Sequence, residues 1–168
     1  MAQGTAEAAA AFQQALERFG FATSKAALGD PVDLGRRAAL LAVADRVWRR
    51  QIGPLLDGRD VQRLLKVGTR QAVSDLVKRR RLLALPTPEG QLAYPAFQFT
   101  RLGRPDPSLP AILEIFSNAA VDAHTIASWF TTPQSLLAGR APAQWLKERH
   151  EVARVIEAAR RTAARLGR

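Results

Sequence analysis

The 168-residue sequence contains no cysteine. Disulfides, thiolate metal sites and cysteine nucleophiles are thereby excluded, and a reducing cytoplasm is the expected compartment. Histidine occurs only at His124 and His150, far apart and without thiolate companions, so no metal site is expected. Long hydrophobic runs are missing too: no uncharged apolar stretch approaches the roughly 20 residues that span a bilayer. The opening "MAQGTAEAAAAF" has no basic residue ahead of its alanines, so neither export nor membrane insertion is expected. There is no phosphate-cradling glycine loop and no serine in a nucleophile elbow. The chain is therefore expected not to be an enzyme and to need no cofactor.

Lysine is scarce, with four residues, yet 25 Lys plus Arg face 15 Asp plus Glu, giving a net charge of +10 and a pI near 11.4. Such an excess favours polyanionic partners. Part of it is a compositional pairing of arginine with alanine, expected of a GC-rich coding sequence. The charge is unevenly placed: residues 1–56 carry +2, 57–104 carry +6, 105–143 carry −2 and 144–168 carry +4. Between the second and third blocks lies "GRPDPSLP", whose prolines exclude a helix interior and read as a linker. Three regions are thus expected, 1–56, 57–104 and 105–168.

The first region reads as two helices. Phe12, Leu16 and Phe19 form one stripe, ended by Gly20; Leu34, Ala38, Leu41, Val47 and Trp48 form a second, stopped by Gly53-Pro54. These faces either pack on the basic block or form a dimer interface. In the basic block, Asp57 is placed to cap a helix with Asp60 at its third position and Val61, Leu64 and Leu65 facing inward. "KVG" then turns the chain and Thr69 caps a second helix, with Ala72, Val73, Leu76 and Val77 as its buried stripe. Gly68 lengthens that turn by about one residue relative to the usual helix-turn-helix pattern.

The exposed face of the second helix carries Arg70, Gln71 and Ser74 in its first turns, the positions that meet base edges when such a helix enters a major groove. Arg70 can fork onto guanine O6 and N7, Gln71 can pair with adenine N6 and N7, and Ser74 permits close approach. Lys78, Arg79 and Arg81 are better placed for phosphates. Asp75 either pairs with Arg79 at i+4 or accepts from a cytosine amino group. The following "RLLALPTPEGQLAYP" reads as a hairpin turning at Pro88-Glu89-Gly90. Helix, turn, helix and wing together resemble the MerR-like and excisionase-like winged DNA-binding domains. A cationic run such as "KRRR" alone is more often a solvated surface; cap, turn, polar face and hairpin together favour a groove-reading helix.

Beyond the prolines, Leu109, Ile112, Leu113, Phe116 and Ala119 make one helical stripe, and Val152, Val155, Ile156, Ala159, Ala163 and Leu166 another. Between them, Asp122 is placed to cap a helix bearing Ile126, Trp129 and Phe130, which Thr131-Thr132-Pro133 ends; Pro142 begins the next helix. In "ASWFTTPQSLLAGRAPAQWL", Trp129, Thr132, Pro133, Leu137, Gly139, Arg140, Pro142 and Leu146 match the pattern of the toxin-binding domain of the Xre/MbcA/ParS antitoxin family, which residues 105–160 resemble. Phe130 stands for that family's leucine, Gln134-Ser135 for Asn-Pro, Ala138 for a glycine and Ala141 for threonine or serine. The resemblance implies an antitoxin that neutralises a RES-domain, NAD-degrading toxin and represses its own operon. It places toxin contacts at Thr132, Pro133, Leu137, Gly139 and Arg140. Trp129 is expected in the core. Arg140 either caps helix carbonyls or engages the partner, and the arginines of the last helix are expected to form a solvated face.

The sequence thus predicts a mainly helical protein with a central winged helix-turn-helix, including one short hairpin, and a C-terminal helical toxin-binding module. Its expected partners are double-stranded DNA, a RES-domain toxin and a second copy of itself, with no membrane. Two other classes stay open. One is a stand-alone transcriptional regulator or nucleoid-associated protein whose C-terminal module dimerises or binds another partner; the other is a structural adaptor without DNA.

Overall fold

The computed structural model describes residues 50–87 and 90–167, together with scattered positions between 6 and 39. The chain divides into two compact units, Met1–Arg46 and Val47–Arg168. In the first, described positions such as Ala6, Ala10, Gly35 and Ala39 are helical and exposed; the two apolar stripes expected at its Phe and Leu positions lie outside the described residues. The second unit is mainly helical with a small three-stranded antiparallel sheet, in agreement with the expected fold class.

In that unit residues 50–52 are helical, strand β1 (Leu55–Leu56) follows, and then come helices α1 (Gly58–Leu65) and α2 (Arg70–Lys78). Asp57 caps α1 by accepting from the Asp60 N–H at 2.7 Å, and the Asp60 carboxylate reaches back to the Asp57 N–H, so two otherwise unpaired donors are satisfied reciprocally. Lys66 takes the left-handed conformation that ends α1, and the Thr69 hydroxyl accepts from the Ala72 N–H at 3.2 Å to start α2. Gly68 has no positive φ and open space beside it, so the reversal is made at Lys66 instead.

The expected hairpin is strands β2 (Leu85–Pro86) and β3 (Leu92–Pro95), paired Leu85 to Ala93 and Pro86 to Leu92. Its turn is closed by the Thr87 N–H donating to the Gln91 carbonyl and the Gly90 N–H to the Thr87 carbonyl, with Gly90 at φ +75°. The other two turn residues, 88 and 89, lie outside the described residues. Strand β1 was not anticipated. It pairs antiparallel with β3 through Leu55 to Pro95 and Leu56 to Tyr94, making the order β1-β3-β2.

This sheet separates two apolar clusters. Val61, Val73, Leu82, Tyr94 and Phe99 form the smaller one under the helix-turn-helix. Ile52, Leu83, Leu85 and the apolar faces of the later helices form the larger. Period-two alternation explains the split: Leu82 and Ala84 face one cluster while Leu83 and Leu85 face the other, and Leu55 and Leu56 divide the same way.

The linker expected at "GRPDPSLP" is therefore a correction. Phe99 bridges to Pro105, the Asp106 N–H donates to the Gln98 carbonyl, Ser108 is buried and Leu109 is core. The compact unit runs without a break across residues 104 and 105, and it already includes residues 47–56, which the sequence assigned to the N-terminal region. Buried Gln98, on a 3-10 turn (Ala96–Gln98), fastens the junction: its Oε1 accepts from the Leu83 N–H at 2.7 Å and its Nε2 donates to the Leu83 carbonyl at 2.9 Å.

Four helices complete the unit: α3 (Leu109–Asn118), α4 (Ala123–Thr131), α5 (Pro142–Lys147) and α6 (Val152–Leu166). Trp129 is core, as expected, edge-on to Phe116 and Phe130 and donating from Nε1 to Thr162 Oγ1 at 3.2 Å. Phe97, just after β3, stacks on Phe130 at 5.0 Å, a second tie between the sheet and the C-terminal helices. On α6 the buried stripe is Val155, Ala158, Ala159, Thr162 and Ala163, while Val152 and Leu166 are exposed at its ends.

Candidate nucleic-acid interface

Helix α2 is amphipathic because Val73 meets the small core on one side while the other side carries polar residues. Thr69, Arg70, Gln71, Lys78, Arg79 and Arg81 are exposed and Ser74 is half-buried. Thr69 spends its hydroxyl as the N-cap. Gln71 Nε2 donates to Asp75 Oδ1 at 2.8 Å, so Asp75 partners Gln71 rather than Arg79 and holds the carboxamide along the helix surface.

A cleft of about 610 Å³ opens between the N-terminal ends of α1 and α2 and the hairpin. Arg70 and Ser74 line it from α2, Arg59 and Gln62 from α1, and Gln91 and Leu92 from the hairpin. The sequence pattern does not single out Arg59, Gln62 or Gln91. Arg59 and Gln62 are three apart on α1, a helical spacing that could have flagged them; Gln91 faces the cleft only because of the hairpin register. Tyr94 forms part of the floor, and burial pushes its phenol above the ordinary range, so it stays neutral.

Most cations of the helix-turn-helix have no carboxylate partner among the described residues. Among the described residues, Arg59, Arg70, Lys78, Arg79, Arg80 and Arg81 make no ion pair, and only Arg63, with Asp60, does so on the helix-turn-helix. Arg80 sits at φ +55°, just past the end of α2. On α6, Arg154 pairs with Glu151 and Arg161 with Glu157 at 2.7 Å, while Arg160 and Arg165 make no ion pair among the described residues. Arg59 and Arg70 at the cleft and Lys78 to Arg81 at the other end of α2, without ion pairs among the described residues, give the helix-turn-helix a positive surface. Such a surface can hold phosphates and read base edges.

The second candidate set lies in the α4–α5 connection, which contains a 3-10 turn (Ser135–Leu137) and is closed by a bridge between Gln134 and Arg140. Of the residues expected to meet a partner there, Leu137 is buried and Thr132 half-buried. Leu137 is 0% exposed and belongs to the large core, so its place as a contact residue is corrected: its spacing is satisfied by packing. Thr132 is half-buried; its hydroxyl donates to the Ser128 carbonyl at 2.8 Å and accepts from Gln51 Nε2 at 3.0 Å. Pro133, Gly139 and Arg140 are exposed. Arg140 is already engaged: Nη1 donates to Glu148 Oε2 at 3.0 Å and lies 2.6 Å from His150 Nε2, and the guanidinium is 5.9 Å from the Trp145 ring centroid. Among the described residues it caps no helix carbonyl. Gln144, with His150 and Arg140, holds the Glu148 carboxyl below the usual carboxylate range. Ala138 is left-handed at φ +51° and Gly139 follows at φ +75°, which accounts for the glycine the antitoxin pattern has in place of Ala138.

No metal-binding group of His, Asp and Glu is found among the described residues, and no described helix is long and apolar enough to cross a membrane. No protein-family model matches the sequence, and no curated protein matches it. The chain is similar to a solved structure described as "NMR structure of Rv2175c", with a TM-score of 0.58 and 24% identity, over 66% of this chain and 81% of that one. The likeness establishes a shared fold.

Proposed function

We propose that the protein binds duplex DNA through its winged helix-turn-helix and acts as the autorepressing antitoxin of a RES-domain, NAD-degrading toxin. One observation carries the DNA reading: exposed Arg70 and Gln71 begin α2 beside a cleft whose other wall is a hairpin, and among the described residues Arg59, Arg70 and Lys78 to Arg81 make no ion pair. With α2 in a major groove, Arg70 and Gln71 reach base edges and Ser74 lets the helix approach. Arg59, Lys78, Arg79, Arg80 and Arg81 are then free to engage phosphates. Asp75 keeps Gln71 oriented by holding one amide hydrogen, leaving the other and the carbonyl for a base.

Support for the antitoxin part is the pattern from Trp129 to Leu146, folded as two helices joined by an ordered loop with Pro133, Gly139 and Arg140 outward. A cytoplasmic homodimer fits a bipartite operator. The burial of Leu137 and the Glu148 and His150 contacts of Arg140 favour a second reading, a stand-alone DNA-binding regulator whose C-terminal helices dimerise or bind another partner. Co-expression with a RES-domain toxin distinguishes the two. The antitoxin pulls the toxin down and restores growth, whereas a stand-alone regulator does neither; an operator selected from random duplexes is expected in both cases.

A further inference from the structure

Between the 3-10 turn and α3, Thr100 to Arg104 form a tight turn whose tip is exposed. The Thr100 N–H donates to the Arg104 carbonyl at 2.8 Å, the Gly103 N–H to the Thr100 carbonyl at 2.9 Å, and the Arg104 N–H to Thr100 Oγ1 at 3.4 Å. The Phe99–Pro105 bridge seals its base. Gly103 is left-handed at φ +70° and buried against α1: a Cβ there would lie 2.8 Å from Leu64 Cδ1 and 3.3 Å from the Leu64 carbonyl oxygen. Both the conformation and the close approach require glycine, so the turn is seated firmly on α1.

Arg101, Leu102 and Arg104 are exposed at this turn, Leu102 at 83%, well above any other described large apolar side chain. Neither arginine makes an ion pair among the described residues. The position of the turn is informative. Arg59 and Gln62 face the cleft shared with the hairpin, while Leu64, two residues and about 200° further around α1, takes the turn on the opposite flank. The helix-turn-helix is thus bracketed by the hairpin on one side and by Arg101–Arg104 on the other.

We propose that this turn is a second DNA-contacting tip, which inserts Leu102 into the minor groove beside the site read by α2, with Arg101 and Arg104 on the flanking phosphates. The inference rests on the DNA-binding reading above. An exposed leucine between two free cations on a rigid turn has the chemistry of a minor-groove wedge, in which an apolar side chain partly unstacks a base step while cations hold the backbone. Steps such as TA, which deform easily, are the preferred insertion points.

The test uses the full chain and an A·T-rich duplex of about 30 base pairs containing TA steps, end-labelled for energy transfer and titrated at several salt concentrations. Leu102→Ala is expected to weaken binding about tenfold with the salt slope unchanged, because it loses apolar burial and no charge. The end-to-end shortening caused by the wild type should also disappear. Arg101→Ala with Arg104→Ala should reduce the slope by about two units. All these positions are exposed, so melting temperatures should match the wild type.

If these variants bind and bend the duplex like the wild type while Lys78→Ala with Arg79→Ala weakens binding, the second tip is refuted and the α2 reading stands. Absence of duplex binding by the wild type refutes both. A Leu102→Ala variant that changes sedimentation mass but not DNA affinity also overturns the proposal, in favour of a contact between copies.

Discussion

Replacing Gln98 with leucine probes the junction on which the fold depends. The side chain is 1% exposed, and its amide supplies partners for both the Leu83 N–H and the Leu83 carbonyl, at 2.7 and 2.9 Å. Leucine keeps most of the volume and removes both partners. Each buried group left unpaired costs about 1–3 kcal/mol, so the pair costs roughly 2–6 kcal/mol, reduced by the apolar burial that leucine gains. A net loss of about 2–4 kcal/mol is a large share of the 5–15 kcal/mol typical of a domain. Urea unfolding followed by tryptophan fluorescence should show a lower midpoint with an unchanged slope, because the same surface is exposed on unfolding. Gln98→Glu sharpens the test. A carboxylate cannot donate to the Leu83 carbonyl, so the variant should be worst at neutral pH. Burial raises that carboxyl's pKa in the folded state, so relative stability should recover as pH falls and the protonated group can donate. An unfolding free energy within about 0.5 kcal/mol of wild type for both variants would refute the claim that Gln98 holds the sheet to the segment before β2.

Three further outcomes are expected. Lys78→Ala with Arg79→Ala should weaken binding to every duplex alike and lower the salt slope by about one unit for each phosphate that is no longer neutralised; an unchanged slope would place both side chains in solvent. Ala138→Gly should raise stability by about 0.5–1 kcal/mol, measured by thermal unfolding, because it relieves a left-handed alanine at φ +51° while adding backbone entropy to the unfolded chain. The Asp122 carboxyl, held below its ordinary range chiefly by the Thr125 hydroxyl and the Thr125 N–H, caps α4. A depressed folded-state pKa gives stability that is present above the unfolded value and lost as pH falls through the folded one. The deficit of Asp122→Ala, about 1 kcal/mol at neutral pH, should therefore narrow below about pH 4.

Local chemistry made much of this fold legible. The caps at Asp57, Thr69 and Asp122 were visible because each acts within three residues of itself, and the hairpin because its turn and alternation are contiguous. The parts that escaped depend on residues distant in sequence. A two-residue strand such as Leu55–Leu56 has no periodicity to detect; it exists because β3 offers it an edge. Prolines in "GRPDPSLP" look alike in a linker and in an ordered turn, and only the Gln98 and Phe99 contacts make it the latter. The antitoxin pattern placed Leu137 and Arg140 together as a motif, yet one is core and the other is held by Glu148 and His150. On the candidate interface, Arg70, Gln71 and Ser74 were readable from the helical period, while Gln91 depends on the register of β3.

The central claim is that the start of α2 reads bases. Its most direct test compares Arg70→Ala with wild type on a selected operator and on random duplex at one salt concentration. A loss of about 1–3 kcal/mol is expected on the operator, with relaxed preference at one base pair and a smaller loss on random DNA. Equal losses on both duplexes would assign Arg70 to the phosphate backbone and contradict base reading by α2.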